Sequence, residues 1–212
     1  MPVRILLADD HGVVRQGLRR IIESRPDLEV VGEAGSGVEA VQMAVANRPD
    51  VIVMDVGMKN LNGIEALAQI RRQAPHAVVL MLSMHEDERY VLRAVREGAS
   101  GYVLKDCVED DLLNAITAVA AGKRFFSPNV NKWVSRRDEF EQTPDDRYEL
   151  LTDRERHIYQ LLAEGNANKE IAALLNLSLH TVETHRARIM DKMGLHSAAE
   201  LVLSAVRRGI VT

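Results

Sequence analysis

The sequence has a single cysteine, no long apolar run and no excess of basic over acidic side chains, and each shortage closes off a class of protein. With Cys107 alone no intrachain disulfide can form, which fits a reducing compartment; the thiol reads as a small residue opening a helix rather than a redox group. A membrane span needs ~18 or more consecutive apolar residues, and no stretch here comes close. The first strand pattern already begins at Val3, which leaves no room for a signal peptide, so the cytoplasm is the expected location and no membrane partner is expected. Net charge is −4, so the chain as a whole has no general attraction to nucleic acid. That charge is uneven: residues 1–122 carry 13 basic against 18 acidic side chains, residues 123–149 six of each, and residues 150–212 eight against seven. DNA affinity in the last part must come from the placement of a few charges, helped by pairing two copies. Internal repeats and low-complexity tracts are lacking too.

What is present is a 212-residue chain with 46% hydrophobic and 27% charged residues, enough for a proper core in one large or two ordinary domains. Val51-Ile52-Val53-Met54, closed by Asp55, reads as a strand buried on both faces. Three other apolar runs end in the same manner: Ile5 to Ala8 leads into Asp9-Asp10, Val78 to Leu82 into Ser83, and Tyr102 to Leu104 into Lys105. Leu28 to Glu33 is a shorter edge-strand pattern. Amphipathic helices alternate with these strands; the first carries Val14, Gly17, Leu18, Ile21 and Ile22 at helical spacing. Strict alternation implies a parallel sheet covered on both faces, an α/β fold, and ligands of such sheets bind outside the carboxyl ends of the strands. Three carboxylates, a hydroxyl and an ammonium share that rim.

Asp9, Asp10 and Asp55 form an all-oxygen pocket that calls for a hard divalent cation such as Mg2+. Beside it Asp55 can attack a phosphoryl group as a carboxylate nucleophile, with Lys105 pairing the phosphoryl oxygens and Ser83 donating to one of them only when phosphate is present. Asp9-Asp10, Asp55, Ser83 and Lys105, with Gly63 after the central loop, resemble the receiver domain of two-component response regulators over residues 3–121. The resemblance implies a doubly wound five-stranded parallel sheet of order 2-1-3-4-5, Asp55 phosphorylated by a sensor histidine kinase, and Mg2+ held by Asp10, Asp55 and the Gly57 carbonyl, with Asp9 assisting through water. It also makes Tyr102 the switch aromatic that follows the Ser83 hydroxyl. Two departures stand out: Lys59 and Asp106 occupy positions where the family usually has proline, which loosens the loops around the site.

From Lys123 the pattern breaks, and Ser127-Pro128, Thr143-Pro144 and the mixed charges of Arg136 to Asp146 read as a linker over residues 123–149. Trp133 with Phe125, Phe126 and Val130 suggests that part of it packs on a domain as a short helix. Thr152-Asp153-Arg154-Glu155 then forms a capping box. Ile158, Leu161 and Leu162 face inward on that helix, Ile171, Ala172, Leu174 and Leu175 mark a second, and Ser178 caps a third with Val182, Ile189 and Met193 inward and Glu183, Thr184, Arg186, Ala187, Arg188 and Lys192 outward.

Residues 150–206 resemble the DNA-binding domain of the NarL/FixJ, or LuxR-type, group through Leu151-Thr152-Asp153-Arg154-Glu155, Gly165, Asn168-Lys169-Glu170-Ile171-Ala172 and Thr181-Val182-Glu183-Thr184-His185. This implies a small all-α helix-turn-helix domain of four helices whose third helix enters the major groove of double-stranded DNA, with Glu183, Thr184 and Ala187 at base-reading positions and Lys169, Thr181, Arg186, Arg188 and Lys192 among the contact residues. Ala167 departs from the usual Ser or Thr cap. The domains are expected at 1–122 and 150–212. The chain is expected to be a phosphorylation-controlled transcriptional regulator acting as a homodimer, with RNA polymerase as a further partner, and not an enzyme beyond slow self-dephosphorylation. A regulator that works without phosphorylation is the alternative. An aspartyl-phosphate phosphatase is the rival from another class, but it wants an acid where this chain has Gly57.

Overall fold

Why the runs become strands is visible in their burial: a parallel sheet is covered on both sides, so successive side chains all meet apolar partners. In the computed structural model, which describes residues 1–84, 88–106, 109–135 and 147–211 (the side chain of Arg89 aside), all five residues of the central strand are buried. Cys107 and residues 136–146 of the expected linker lie outside the described residues. The chain divides into two compact units, Met1–Phe140 and Glu141–Thr212.

The first unit alternates β1 (Val3–Ala8), α1 (Gly12–Glu23), β2 (Leu28–Ala34), α2 (Gly37–Asn47), β3 (Val51–Asp55), α3 (Gly63–Gln73), β4 (Val78–Ser83), α4 (Glu88–Arg96), β5 (Gly101–Leu104) and α5 (Glu109–Ala120), followed by β6 (Phe125–Phe126) and α6 (Pro128–Val134). The strands are all parallel in the order β2-β1-β3-β4-β5-β6. Side chains alternate between two cores. Leu6, Ile52, Met54, Met81 and Tyr102 pack under α2, α3, α4 and α6, while Ile5, Leu7, Val53, Leu80 and Val103 pack under α1 and α5. Glu65 of α3, itself buried, pairs with Arg93 of α4.

Two expectations change. The sheet has six strands, not five, because Phe125 and Phe126 pair with Gly101 and Tyr102. The start of the expected linker is therefore structured: Ser127 donates its backbone N–H to the Tyr102 carbonyl at 3.0 Å, Pro128 opens α6 where a missing N–H costs nothing, and Val130 is fully buried in the core that holds Tyr102. A two-residue strand shows no alternation, and Ser-Pro reads equally as a loop. Helix α1, expected to bury Val14 and Gly17, buries only Ile22 fully; Val13 is 86% exposed, and only Leu18 and Ile21 give further partial cover.

Among the described residues the second unit starts with a 3₁₀ turn, Arg147–Leu150, that plugs Tyr148 into its core edge-on to Tyr159. Four helices follow: α7 (Asp153–Ala163), α8 (Asn168–Leu175), α9 (Leu179–Met193) and α10 (Ala198–Arg207), around a core of Ile158, Leu161, Ile171, Val182, Ile189 and Leu201. The capping box forms: Glu155 N–H donates to Thr152 Oγ1 at 3.3 Å, and Thr152 N–H donates to Glu155 Oε2 at 2.8 Å. At Ala167 only half of such a box exists, the Ala167 N–H reaching Glu170 Oε2 at 2.7 Å, and the Asn166 amide beside it donates to the Leu161 carbonyl at 2.9 Å. Among the described residues no helix is long and apolar enough to cross a membrane.

Candidate functional site

Parallel register brings the strand ends level. Ala8 pairs with Met54, Asp55 with Leu82 and Ser83 with Leu104, so the residues that close or follow four strands stand on one rim. Asp9, Asp55 and Ser83 are nearly inaccessible, at 1%, 5% and 1% exposure. The Lys105 ammonium bridges two carboxylates, 2.7 Å from Asp9 Oδ2 and 3.0 Å from Asp55 Oδ2. Gly57 contributes a backbone N–H to the Asp55 carboxylate. Behind the site Gly63 has to be glycine, because a Cβ there would collide with the Asp55 carbonyl oxygen. Lys59 is exposed, as is Asp106.

The electrostatics are those of an overloaded acidic pocket. Burial drives the Asp55 carboxyl above the ordinary carboxylate range, and although Lys105 pulls it down, the charge of Asp9 adds to the rise. Burial opposes the charge on Lys105, but Asp9 and Asp55 together more than reverse that and raise its affinity for the proton. Asp9 and Asp55 share that one ammonium, and Asp10 adds a third carboxylate to the same cluster. Asp9, Asp10, Asp55 and His11 each offer a ligand atom, all within 4.8 Å of one another, and the buried Asp10 Oδ1 receives no hydrogen bond among the described residues. An oxygen-rich donor set with excess negative charge and an orphaned buried oxygen fits a hard divalent cation. His11 is the one member that sequence reading passed over; its place directly after Asp10 was the available signal. Tyr102 is fully buried, in the core shared by α4 and α6.

In the second unit α9 is capped by Ser178, whose Oγ accepts from the Thr181 N–H at 3.0 Å. Val182, Ile189 and Met193 are buried; Glu183, Ala187 and Arg188 are exposed, as is Lys169 on α8; Thr181, Thr184 and Arg186 are half-buried. The Thr184 hydroxyl donates to the His180 carbonyl at 2.9 Å, which leaves its methyl and the oxygen's acceptor lone pairs for other contacts. Lys192, expected outward, turns into an ion pair with buried Glu155 at 2.6 Å. Helix α10 buries Leu201 and Ala205 and shows Val202, Leu203 and Val206 to solvent, at 37%, 55% and 48% exposure.

Comparison with known proteins agrees with both halves. Residues 5–117 match the response regulator receiver domain and residues 149–205 match the bacterial regulatory proteins of the luxR family. The oxygen regulatory protein NreC of Staphylococcus carnosus is 37% identical, over 99% of this chain and 99% of its own length. Among solved structures, a LuxR-family two-component response regulator from Aurantimonas sp. is 39% identical with a TM-score of 0.62, over 66% of this chain and 99% of that one. The DNA complex of the response regulator RcsB is 26% identical with a TM-score of 0.60, over the whole of both chains. The two domain matches, in this order on one chain, make it a two-component transcription regulator: the chain belongs to the NarL/FixJ family of response regulators, with a receiver followed by a LuxR-type helix-turn-helix domain.

Proposed function

We propose that Asp55 accepts a phosphoryl group from a sensor histidine kinase and that the modified receiver favours a homodimer that binds double-stranded DNA through α9. The observation that carries this reading is the Lys105 ammonium held between Asp9 and Asp55, since it sets a cation beside the carboxylate where the incoming phosphoryl oxygens must sit. Asp10, Asp55 and the Gly57 carbonyl are the residues to hold Mg2+, with Asp9 assisting through water, and the bound ion supplies the charge that lets a dianionic group approach three carboxylates. An Asp55 oxygen forms the new P–O bond as the P–N bond of the donor's phosphohistidine breaks, and the imidazole leaves with its proton restored from solvent. Lys105 pairs the transferred oxygens. Ser83 donates its hydroxyl to one of them, and the fully buried Tyr102 repacks in response, biasing a two-state element.

Dimer formation is supported by the apolar arc that α10 leaves uncovered, Val202, Leu203 and Val206. DNA contact is supported by the exposed Lys169, Glu183, Ala187 and Arg188, with Thr181, Thr184 and Arg186 at the margin of that surface. RcsB has been solved on DNA, which favours the same mode here. RNA polymerase is the further partner such a regulator would meet on its operator. The test is direct: with Mg2+, acetyl phosphate should add one base-labile phosphoryl group that Asp55→Asn abolishes, and should raise both the dimer fraction in sedimentation and the affinity for operator DNA. Intact-mass labelling that persists in the substituted protein overturns the assignment of Asp55.

A further inference from the structure

His11 sits where a helix cap belongs and does not cap. As N-cap of α1 it makes no side-chain bond to the helix backbone; its ring turns back to the acidic pocket instead. Its Nδ1 lies 2.8 Å from Asp10 Oδ1 and 3.4 Å from Asp9 Oδ1, while its backbone N–H donates to that same Asp9 oxygen at 2.8 Å. The Asp10 side chain is 7% exposed and its Oδ1 has no hydrogen-bond donor among the described residues. A buried carboxylate oxygen and an imidazole nitrogen this close can both reach a single ion set between them and Asp9.

The spacing has the dimensions of a coordination shell. Ligand atoms at ~2.1 Å around an octahedral ion are ~3.0 Å apart on adjacent vertices and ~4.2 Å apart on opposite ones. The two separations from His11 Nδ1 are adjacent-vertex lengths, and the whole set of Asp9, Asp10, His11 and Asp55 needs only slight contraction from its 4.8 Å spread. Oxygen-only pockets suit Mg2+, whereas an imidazole added to carboxylates suits the first-row transition ions, whose affinity for nitrogen donors is much higher.

We propose that His11 is a nitrogen donor of the divalent-cation pocket and tunes it toward ions such as Mn2+ over Mg2+. This rests on the reading of the carboxylates as a cation site and adds to it the ring of His11, whose 67% exposure lets a ligated ion keep water on its outer side. The phosphoacceptor pocket then responds to which divalent ion the cell supplies.

Pulsed electron paramagnetic resonance of the full-length protein with Mn2+ reads this directly. A directly bound imidazole gives a nitrogen modulation, expected in the wild type and lost in His11→Asn, a variant that keeps a residue well suited to an N-cap. In parallel, Mg2+ competition against Mn2+ should show His11→Asn losing about tenfold in Mn2+ affinity with Mg2+ affinity changed less than about twofold. Mn2+ that binds competitively with Mg2+ but without nitrogen modulation overturns the role of His11 and leaves the carboxylate site standing. Absence of any Mn2+ or Mg2+ binding overturns both.

Discussion

Lys192 and Glu155 are 37 residues apart in sequence, and the ammonium of one meets the carboxylate of the other at 2.6 Å where α9 crosses the start of α7. Burial alone would raise the Glu155 carboxyl, but Lys192 and the Thr152 donors more than reverse this and hold it below its ordinary range. Lys192→Ala is expected to cost the second unit roughly 1–3 kcal/mol, because it leaves a buried carboxylate without its counter-charge. Urea unfolding of the full chain measures that loss. If Lys192 is structural, the salt dependence of DNA binding keeps its slope in the same variant; a slope lowered by about one unit would mark a phosphate contact instead.

Asp55→Asn should stabilise the first unit at neutral pH while abolishing phosphorylation. A carboxyl whose folded-state pKa is raised contributes stability below its unfolded value and loses it as pH rises through the folded one, so at neutral pH the Asp55 carboxyl burdens the fold. Replacing the carboxyl by a neutral amide is expected to return roughly 1 kcal/mol, about 3 °C in Tm for a unit of this size. Calorimetry at pH 7 without divalent ions checks it, and an unchanged or lowered Tm contradicts it.

His157 gives the second unit the opposite response to acid. Burial, with a smaller push from Arg154, lowers its imidazole pKa to about 4. A histidine depressed in the folded state contributes stability above its unfolded pKa, ordinarily near 6.5, and loses it as pH falls toward the folded value. The loss between pH 6.5 and 4 amounts to roughly 3 kcal/mol at most. Thermal melts across that window should show the transition of the second unit falling, with a flatter profile for His157→Phe.

On α9 the exposed Arg188 and the back-bonded Thr184 are expected to do different work. Arg188→Ala should weaken specific and random DNA alike and lower the salt slope by roughly one unit per protomer contact. Thr184, its hydroxyl proton committed to His180, has its methyl to offer. Thr184→Ala should therefore change preference at one base position by about 1 kcal/mol, whereas Thr184→Val, which keeps a methyl, should preserve it. Titrations against operator and scrambled duplex at several salt concentrations separate the two; loss of preference in Thr184→Val points to the hydroxyl instead.

Buried parallel strands announce themselves as apolar runs, and the residue ending such a run must lie on the rim, which is why Asp9, Asp10, Asp55, Ser83 and Lys105 could be placed together before any coordinates. The cores of α7 and α9 were legible for the same kind of reason, through their caps and helical spacing. What escaped was what depends on tertiary placement of short or long pieces. Phe125-Phe126 is too short to carry a period, yet pairs with β5. Lys192 flanks the buried arc of α9, and its flexible stem lets the ammonium reach inward to a partner that sequence spacing cannot reveal. His11 carries no periodic signal either: a largely exposed ring directly after two aspartates can face solvent as readily as the pocket.

The addition of β6 also changes what the sheet offers to other strands. One edge is now only two residues long, with few backbone groups left for lateral pairing. The other, β2, is interrupted opposite Ile5 and Leu6, where Val31 is left without a partner in the register, and it carries Glu29 and Glu33. Short, bulged and charged edges are poor templates for strand addition. The receiver sheet can therefore remain a closed unit at high protein concentration, without fusing edge to edge into aggregates.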